Sequence, residues 1–351
     1  MNGTCDERFA ALGDLLERRL RTGEEAGASV CVIQDGAVLV DLWGGTASPG
    51  VPWTRDTLVN TYSLTKTVTA LVALLLTGRG ELDPDAPVAR YWPEFGAAGK
   101  EDVLVRHVLG HTAGLCTWRE TVALEDLYDT ERAAALLAAQ EPWWKPGDGS
   151  GYHAVSHGHL VGEIVRRVTG RTVGAVLRAE FPEADYWIGA PPEIDSRVAT
   201  LVPPPSSGVD YAALAPVAVR TLTNPLIPPP VTTTRPFLAA ELGGLNGQGN
   251  ARSVARLQSL VSHRELSAVD RIFDVQADGV DRVLGAAVRF GLGYAVHAEK
   301  RICWWSGFGG SLVINDLDRR LTFAYVMNRM EPGLIGAPNT RAWAEALSSC
   351  L

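Results

Sequence analysis

The chain has 351 residues, of which 46% are hydrophobic and 21% charged, and a formal net charge of −8; this is globular composition and argues against a disordered or fibrous protein. The length exceeds that of a usual single domain, so two packed lobes, or a core carrying an insertion, are expected. Lys66, Lys100, Lys145 and Lys300 are the only lysines and the arginines are scattered, so no basic stripe suits nucleic acid, and no run approaches the roughly 18 apolar residues of a membrane helix.

In chain order, Phe9, Leu12, Leu15, Leu16 and Leu20 carry helical spacing. Acidic residues stand early and no signal-like apolar run precedes them, which reads as a mature cytoplasmic start. Ala28–Gln34 and Ala37–Trp43 are β-rich runs split by Asp35-Gly36, a hairpin signal because both turn positions tolerate positive φ. Helical patterns follow at Ser63–Leu76, Val103–Gly110, Thr130–Gln140 and His157–Thr169, the last stopping at Gly170, a fitting left-handed cap. Val202–Pro236 holds two triple prolines, so it forms no long regular element and wraps the surface or borders the cleft. Strands are expected at Phe290–Val296, Ile302–Trp305, Ser311–Asn315 and Leu321–Asn328, with a turn at Asp316–Arg320 and a last helix at Thr340–Leu347.

Sheet material at both ends and helices between them imply an α/β chain: residues 1–61 and 251–351 form one lobe with an antiparallel sheet, and 62–250 an inserted, mainly helical lobe. Cys5, Cys31, Cys116, Cys303 and Cys350 are odd in number and widely separated, which fits free thiols in a reducing compartment and no disulfide frame or zinc site.

Three segments carry candidate chemistry. Ser63 and Lys66 stand three apart at a helix start, so hydroxyl and amine share a face. The helix N-terminus offers free N–H groups to an oxyanion, and the apolar run after Lys66 would desolvate the amine into a base. The bland reading is an N-capping serine beside an exposed lysine. Tyr152, in the Gly-rich turn Pro146 to Ala154, is placed to relay a proton; otherwise it only caps a loop. In Trp305-Ser306-Gly307-Phe308-Gly309-Gly310-Ser311 the glycines mark a close backbone approach, as of a substrate along the strand edge, or a structural bulge.

Together with Leu82 to Val88, Val108 to Leu115, Gly158 to Glu163 and Asn246 to Arg252, these segments resemble the serine β-lactamase-like superfamily, especially family VIII carboxylesterases and class C β-lactamases, over nearly the whole chain. The resemblance implies an antiparallel sheet flanked by helices, with the site between the sheet and a helical lobe. It makes Ser63 the nucleophile, Lys66 its base partner and Tyr152 the family tyrosine. The oxyanion hole falls on the backbone N–H groups of Ser63 and Phe308, and substrate contacts fall on Trp304, Trp305, Ser306 and Gly307. Trp305-Ser306-Gly307 stands where β-lactamases have Lys-Thr-Gly, so the cation that grips a substrate carboxylate is missing, and Ala154 replaces a common Asn.

The expected substrate is therefore a neutral small-molecule ester or amide, sizeable and partly apolar, attacked through an acyl intermediate on Ser63, with no cofactor and no metal. A carboxylesterase is expected, with a transacylase passing the acyl group to an amine or alcohol in natural-product assembly as the alternative. Trp304, Trp305 and Phe308 would wall out water in that case. A binding protein on the same scaffold is a third reading. His107/His111 and the group His153, His157 and His159 have spacings that can suit zinc, but without a characteristic third ligand they read as packing residues. No Gly-x-Ser-x-Gly elbow supports an α/β-hydrolase.

Overall fold

The computed structural model describes residues 1–351. Strand β1 (Asn2–Cys5) and helix α1 (Ala10–Thr22) precede strands β2 (Gly27–Gln34), β3 (Ala37–Ser48), β4 (Val51–Pro52) and β5 (Val59–Asn60). The middle carries α2 (Thr65–Gly78), α3 (Val105–Leu109), α4 (Thr130–Ala139), α5 (Ser156–Thr169), α6 (Val173–Glu180), α7 (Pro216–Thr223) and α8 (Arg235–Ala239). Then come β6 (Gln248–Gly249), α9 (Ala251–Ser262), β7 (Ala277–Val280), β8 (Ala287–Phe290), β9 (Ala295–Val296), β10 (Ile302–Ser306), β11 (Leu312–Asp316), β12 (Leu321–Met327) and α10 (Pro338–Ser349).

All strands but β5 and β6, which pair with each other, form one large antiparallel sheet in the order β1-β3-β2-β12-β11-β10-β9-β8-β7, with β4 on β3. Its centre explains the continuous apolar run of β2. Ala28, Val30 and Val32 pack with Phe9, Leu12 and Leu16 of the α1 side and with Trp343 and Leu347 of α10. Cys31 and Ile33 face the other way, into the core that holds Val254, Leu257 and Val261 of α9. A strand covered on both faces needs no polar alternation. In β12, Leu321, Phe323 and Tyr325 join the first cluster and Ala324 and Val326 the second. The sheet thus lies between α1 and α10 on one side and α9 on the other, with α2 behind α9.

Asp35 and Gly36 both adopt positive φ, 50° and 81°, and close the β2–β3 hairpin as their sequence demands. Gly170 caps α5 at φ 69°, and no helix is long and apolar enough to cross a membrane.

Elsewhere the elements differ from expectation. β1 precedes the first helix and pairs with β3; four exposed residues leave no hydrophobic period to read. Phe290–Val296 is not one strand: the chain turns between β8 and β9, where Gly291 N–H bonds Tyr294 O at 2.9 Å and Gly293 has φ 78° with only 2.2 Å between a notional Cβ and Ala70. The helix expected from Val103 begins at Val105. Val202–Pro236 is mostly irregular but contains α7, which Pro216 opens at a position where a proline is tolerated. α9 is a further helix beyond those expected, capped reciprocally by Asn250 and Ser253.

Candidate active site

The two-residue ladder of β5 with β6 delivers the chain to a 3₁₀ turn, Tyr62–Leu64, that leads directly into α2. Tyr62 takes φ 44°, a left-handed conformation costly for a bulky residue, and its N–H is held by Asn60 Oδ1 at 3.0 Å. This bend leaves Ser63 part-exposed between buried neighbours. Ser63 opens on the cleft.

Helix α2 is buried nearly all round, so Lys66 projects into the interior at 1% exposure. Its Nζ lies 3.2 Å from Ser63 Oγ and 2.7 Å from each of the carbonyls of Ala154 and Gly244. All three partners are neutral. Burial without a compensating carboxylate pushes the lysine pKa well below its ordinary value. A neutral amine has two N–H bonds and one lone pair. With the carbonyls taking two N–H bonds, such a neutral amine would have its lone pair left to face the Ser63 hydroxyl.

Tyr152 is 5% exposed, and its ring centre lies 4.9 Å from Lys66 Nζ. Burial drives the phenol pKa up, against the opposing pull of its hydrogen bonds with Ser63 and Trp305, so the O–H stays protonated at neutral pH. Trp305 Nε1 donates to this hydroxyl at 3.2 Å. From below, Asp281 Oδ1 accepts the Tyr152 N–H at 3.0 Å, so the segment before β8 fixes the tyrosine's backbone.

His111, His153 and His157 pack behind Lys66 and Tyr152. Burial lowers all three pKa values, His153 to about 3. His153 Nε2 accepts Leu115 N–H at 3.2 Å while Nδ1 donates to Gly151 O at 2.7 Å. His111 Nδ1 accepts the His153 N–H at 3.2 Å, and His157 packs against His111 without a hydrogen-bond partner on either ring nitrogen; these read as neutral packing residues, as does His159, whose Nε2 meets Leu127 O at 3.1 Å. His107 stands apart from them, its Nδ1 accepting Leu104 N–H.

Gly307 is a position of close approach, but the approaching group is the chain itself: a Cβ there would lie 2.1 Å from Thr61 O. Ser311 Oγ donates to the same Thr61 carbonyl at 3.0 Å. This clamp ties the β10–β11 turn to the Ser63 turn. The backbone N–H groups of Ser63 and Phe308 have no acceptor in the protein, and the Phe308 ring stands edge-on to Tyr62 at 5.7 Å.

The cleft measures about 330 Å³, and Tyr62, Ser63, Tyr152 and Phe308 form the end expected to be reactive. Pro203, Val209, Leu222, Ile227, Pro228 and Leu334 are among its other walls, and no Asp, Glu, Lys, Arg or His lines it. The Pro-rich segment does border the cleft. The expected contacts Trp304, Trp305, Ser306 and Gly307, in contrast, line no part of it. Strand alternation turns Trp304 partly toward the α1/α10 cluster. Trp305 is a buried support under Tyr152, 5.1 Å ring to ring, and Gly307 is filled by Thr61. The dry wall is aliphatic and proline-built; of the three aromatics expected to form it, only Phe308 is present. Trp143 and Trp144 likewise sit behind Tyr152 and not in the cleft.

A family model described as Beta-lactamase matches residues 12–348. The chain belongs to the beta-lactamase family. It is 31% identical over 364 residues to the esterase/beta-lactamase LipL of Mycobacterium tuberculosis, spanning 95% of this chain and 84% of that protein. A crystal structure of a family VIII carboxylesterase superposes with TM-score 0.93 at 34% identity, covering 100% of this chain and 99% of the other. A penicillin-binding protein homologue from Caulobacter crescentus gives TM-score 0.88 at 33% identity, with the same coverage.

Several residues of this beta-lactamase-family site were not legible beforehand. The Ala154 and Gly244 carbonyls act through backbone, which no side-chain pattern reports. Gly244 had one signal: Gly158 presses against its nitrogen, 2.2 Å from a notional Cβ, so the paired glycines 243 and 244 mark a close crossing. Asp281 looks in sequence like any turn aspartate.

Proposed function

We propose that this protein is a serine hydrolase, a carboxylesterase that cleaves neutral small-molecule esters through an acyl intermediate on Ser63. The observation that carries the reading is the fully buried Lys66, whose Nζ lies 3.2 Å from Ser63 Oγ and whose other partners are two carbonyls and no carboxylate. Ser63 Oγ attacks the ester carbonyl as its proton passes to Lys66, and the N–H groups of Ser63 and Phe308 hold the oxyanion. The Tyr152 O–H, kept protonated by burial, donates toward the leaving alkoxide and is reprotonated from Lys66. Water, deprotonated by the same pair, then releases the acid. An uncharged cleft supports a neutral substrate, since a carboxylate there would lose hydration without gaining a cation. The names of the relatives, esterase/beta-lactamase and carboxylesterase, support ester hydrolysis.

A second reading rests on the same walls. The apolar walls of the cleft favour an alcohol or amine over water as acyl acceptor, which would make the protein a transacylase. Incubation with a p-nitrophenyl ester and a panel of amines and alcohols separates the two: free acid alone supports the esterase, and dominant ester or amide product supports transfer. A wild-type protein that neither turns over nor is labelled by a fluorophosphonate would contradict both and leave a binding role. The two-lobe division at 61/62 and 250/251 and a cytoplasmic setting, in keeping with five free cysteines, belong to the same proposal.

A further inference from the structure

The Gly307 carbonyl and the Phe308 N–H belong to one planar trans peptide and point in opposite directions. Gly310 N–H donates to that carbonyl at 3.0 Å, which turns the unpartnered Phe308 N–H the other way. Whatever fixes Gly309 and Gly310 therefore aims Phe308. Both glycines take positive φ, 92° and 122°, a conformation open to glycine and strained for other residues. Their carbonyls are gripped from outside the turn. Gly309 O accepts Glu331 N–H at 3.0 Å and Asn339 Nδ2 at 2.9 Å. Gly310 O accepts Thr340 Oγ1 at 3.2 Å.

Asn339 is fully buried and sits flush on the turn, with 2.1 Å from its Oδ1 to a notional Cβ at Gly310. Its own N–H is taken by Glu331 Oε2 at 2.9 Å, and the other Glu331 oxygen pairs with Arg19. Arg19 is 4% exposed and also bonds Glu24 at 2.8 Å and Glu25 at 2.9 Å. A partly buried ion cluster of this kind contributes little to stability but fixes geometry, because its members tolerate few alternative arrangements.

We propose that Asn339, with Glu331 and Thr340, is a positioning residue for the reaction: it holds the Gly309–Gly310 turn so that the Phe308 N–H meets the oxyanion, and Arg19 anchors Glu331 from the opposite end of the chain. The proposal rests on the reading of Ser63 as nucleophile. A positioning role shows in kcat and in the preference for an oxoester over the matching thionoester, because thiono sulfur is a poor hydrogen-bond acceptor. In Asn339→Ala, kcat should fall about 10- to 100-fold with KM within about threefold, and the oxoester preference should shrink by a similar factor. Thr340→Val, a smaller change, should move both readouts in the same direction and covers the case in which the first variant fails to fold. Unchanged kcat and unchanged preference in a variant that is folded at the assay temperature overturn the inference. If Ser63→Ala retains full turnover, the nucleophile reading falls and this proposal with it. If turnover depends on Ser63 but the preference does not move in either variant, only the positioning role falls.

Discussion

The two ends of the cleft are built on opposite principles. At the reactive end, each group is held by polar contacts drawn from distant parts of the chain: Lys66 by carbonyls 88 and 178 residues away, Tyr152 by Asp281 and Trp305, and the Phe308 turn by Thr61, Glu331 and Asn339. At the far end, the cleft-lining residues between 203 and 229 are mostly prolines and aliphatic side chains, none of them charged. The first arrangement fixes angles and proton positions; the second offers only area and shape. Chemistry should therefore be brittle to mutation, and substrate choice should be plastic.

Ser63→Ala tests the brittle end most severely and should lower kcat/KM for an activated ester by about 10⁴-fold or more. Lys66→Met keeps the volume and removes the base, and a loss of about 10³-fold is expected in the same assay. The lysine also predicts a pH effect on stability. Its folded pKa lies well below its usual value, so between the folded pKa and the unfolded value near 10.5 the unfolded chain binds the extra proton, and stability rises with pH. Urea unfolding at pH 7 and pH 9 should show a gain at pH 9 for wild type that Lys66→Met lacks. Tyr152→Phe removes the relayed proton, the hydrogen bond with Ser63 and the acceptor for Trp305, and should reduce kcat about 10²-fold with KM little changed.

Substitutions at the plastic end should change selection and leave the chemistry intact. Leu222→Ala widens the wall by about three methylene equivalents. Its kcat/KM profile over ester chain lengths should shift toward longer acyl or alcohol groups, by roughly fourfold per methylene accommodated. The smallest effect is expected for Trp304→Phe, outside the cleft, with kcat/KM within about twofold. A large loss there would restore the tryptophan to the substrate wall.

What could be read in the sequence follows the same divide. Ser63-x-x-Lys66 and the Asp35-Gly36 turn are local, because helical spacing and positive φ are properties of neighbouring residues, and both were legible. Gly307 was legible only in kind: a missing side chain announces close approach but not that Thr61 is the neighbour. The wall was misassigned to Trp304 and Trp305 because strand alternation and the depth of Tyr152 decide which ring reaches the cleft. Asn339 and Glu331 carry no signal at all, since their role depends on three separate segments meeting at one turn.

The covalent step is the central claim, and intact-mass spectrometry of the protein quenched seconds after mixing with activated esters tests it directly. The account predicts a mass increase equal to the acyl group, mapped to the peptide containing Ser63 and absent in Ser63→Ala. Turnover with no adduct across the panel, or an adduct that persists in Ser63→Ala, would contradict it.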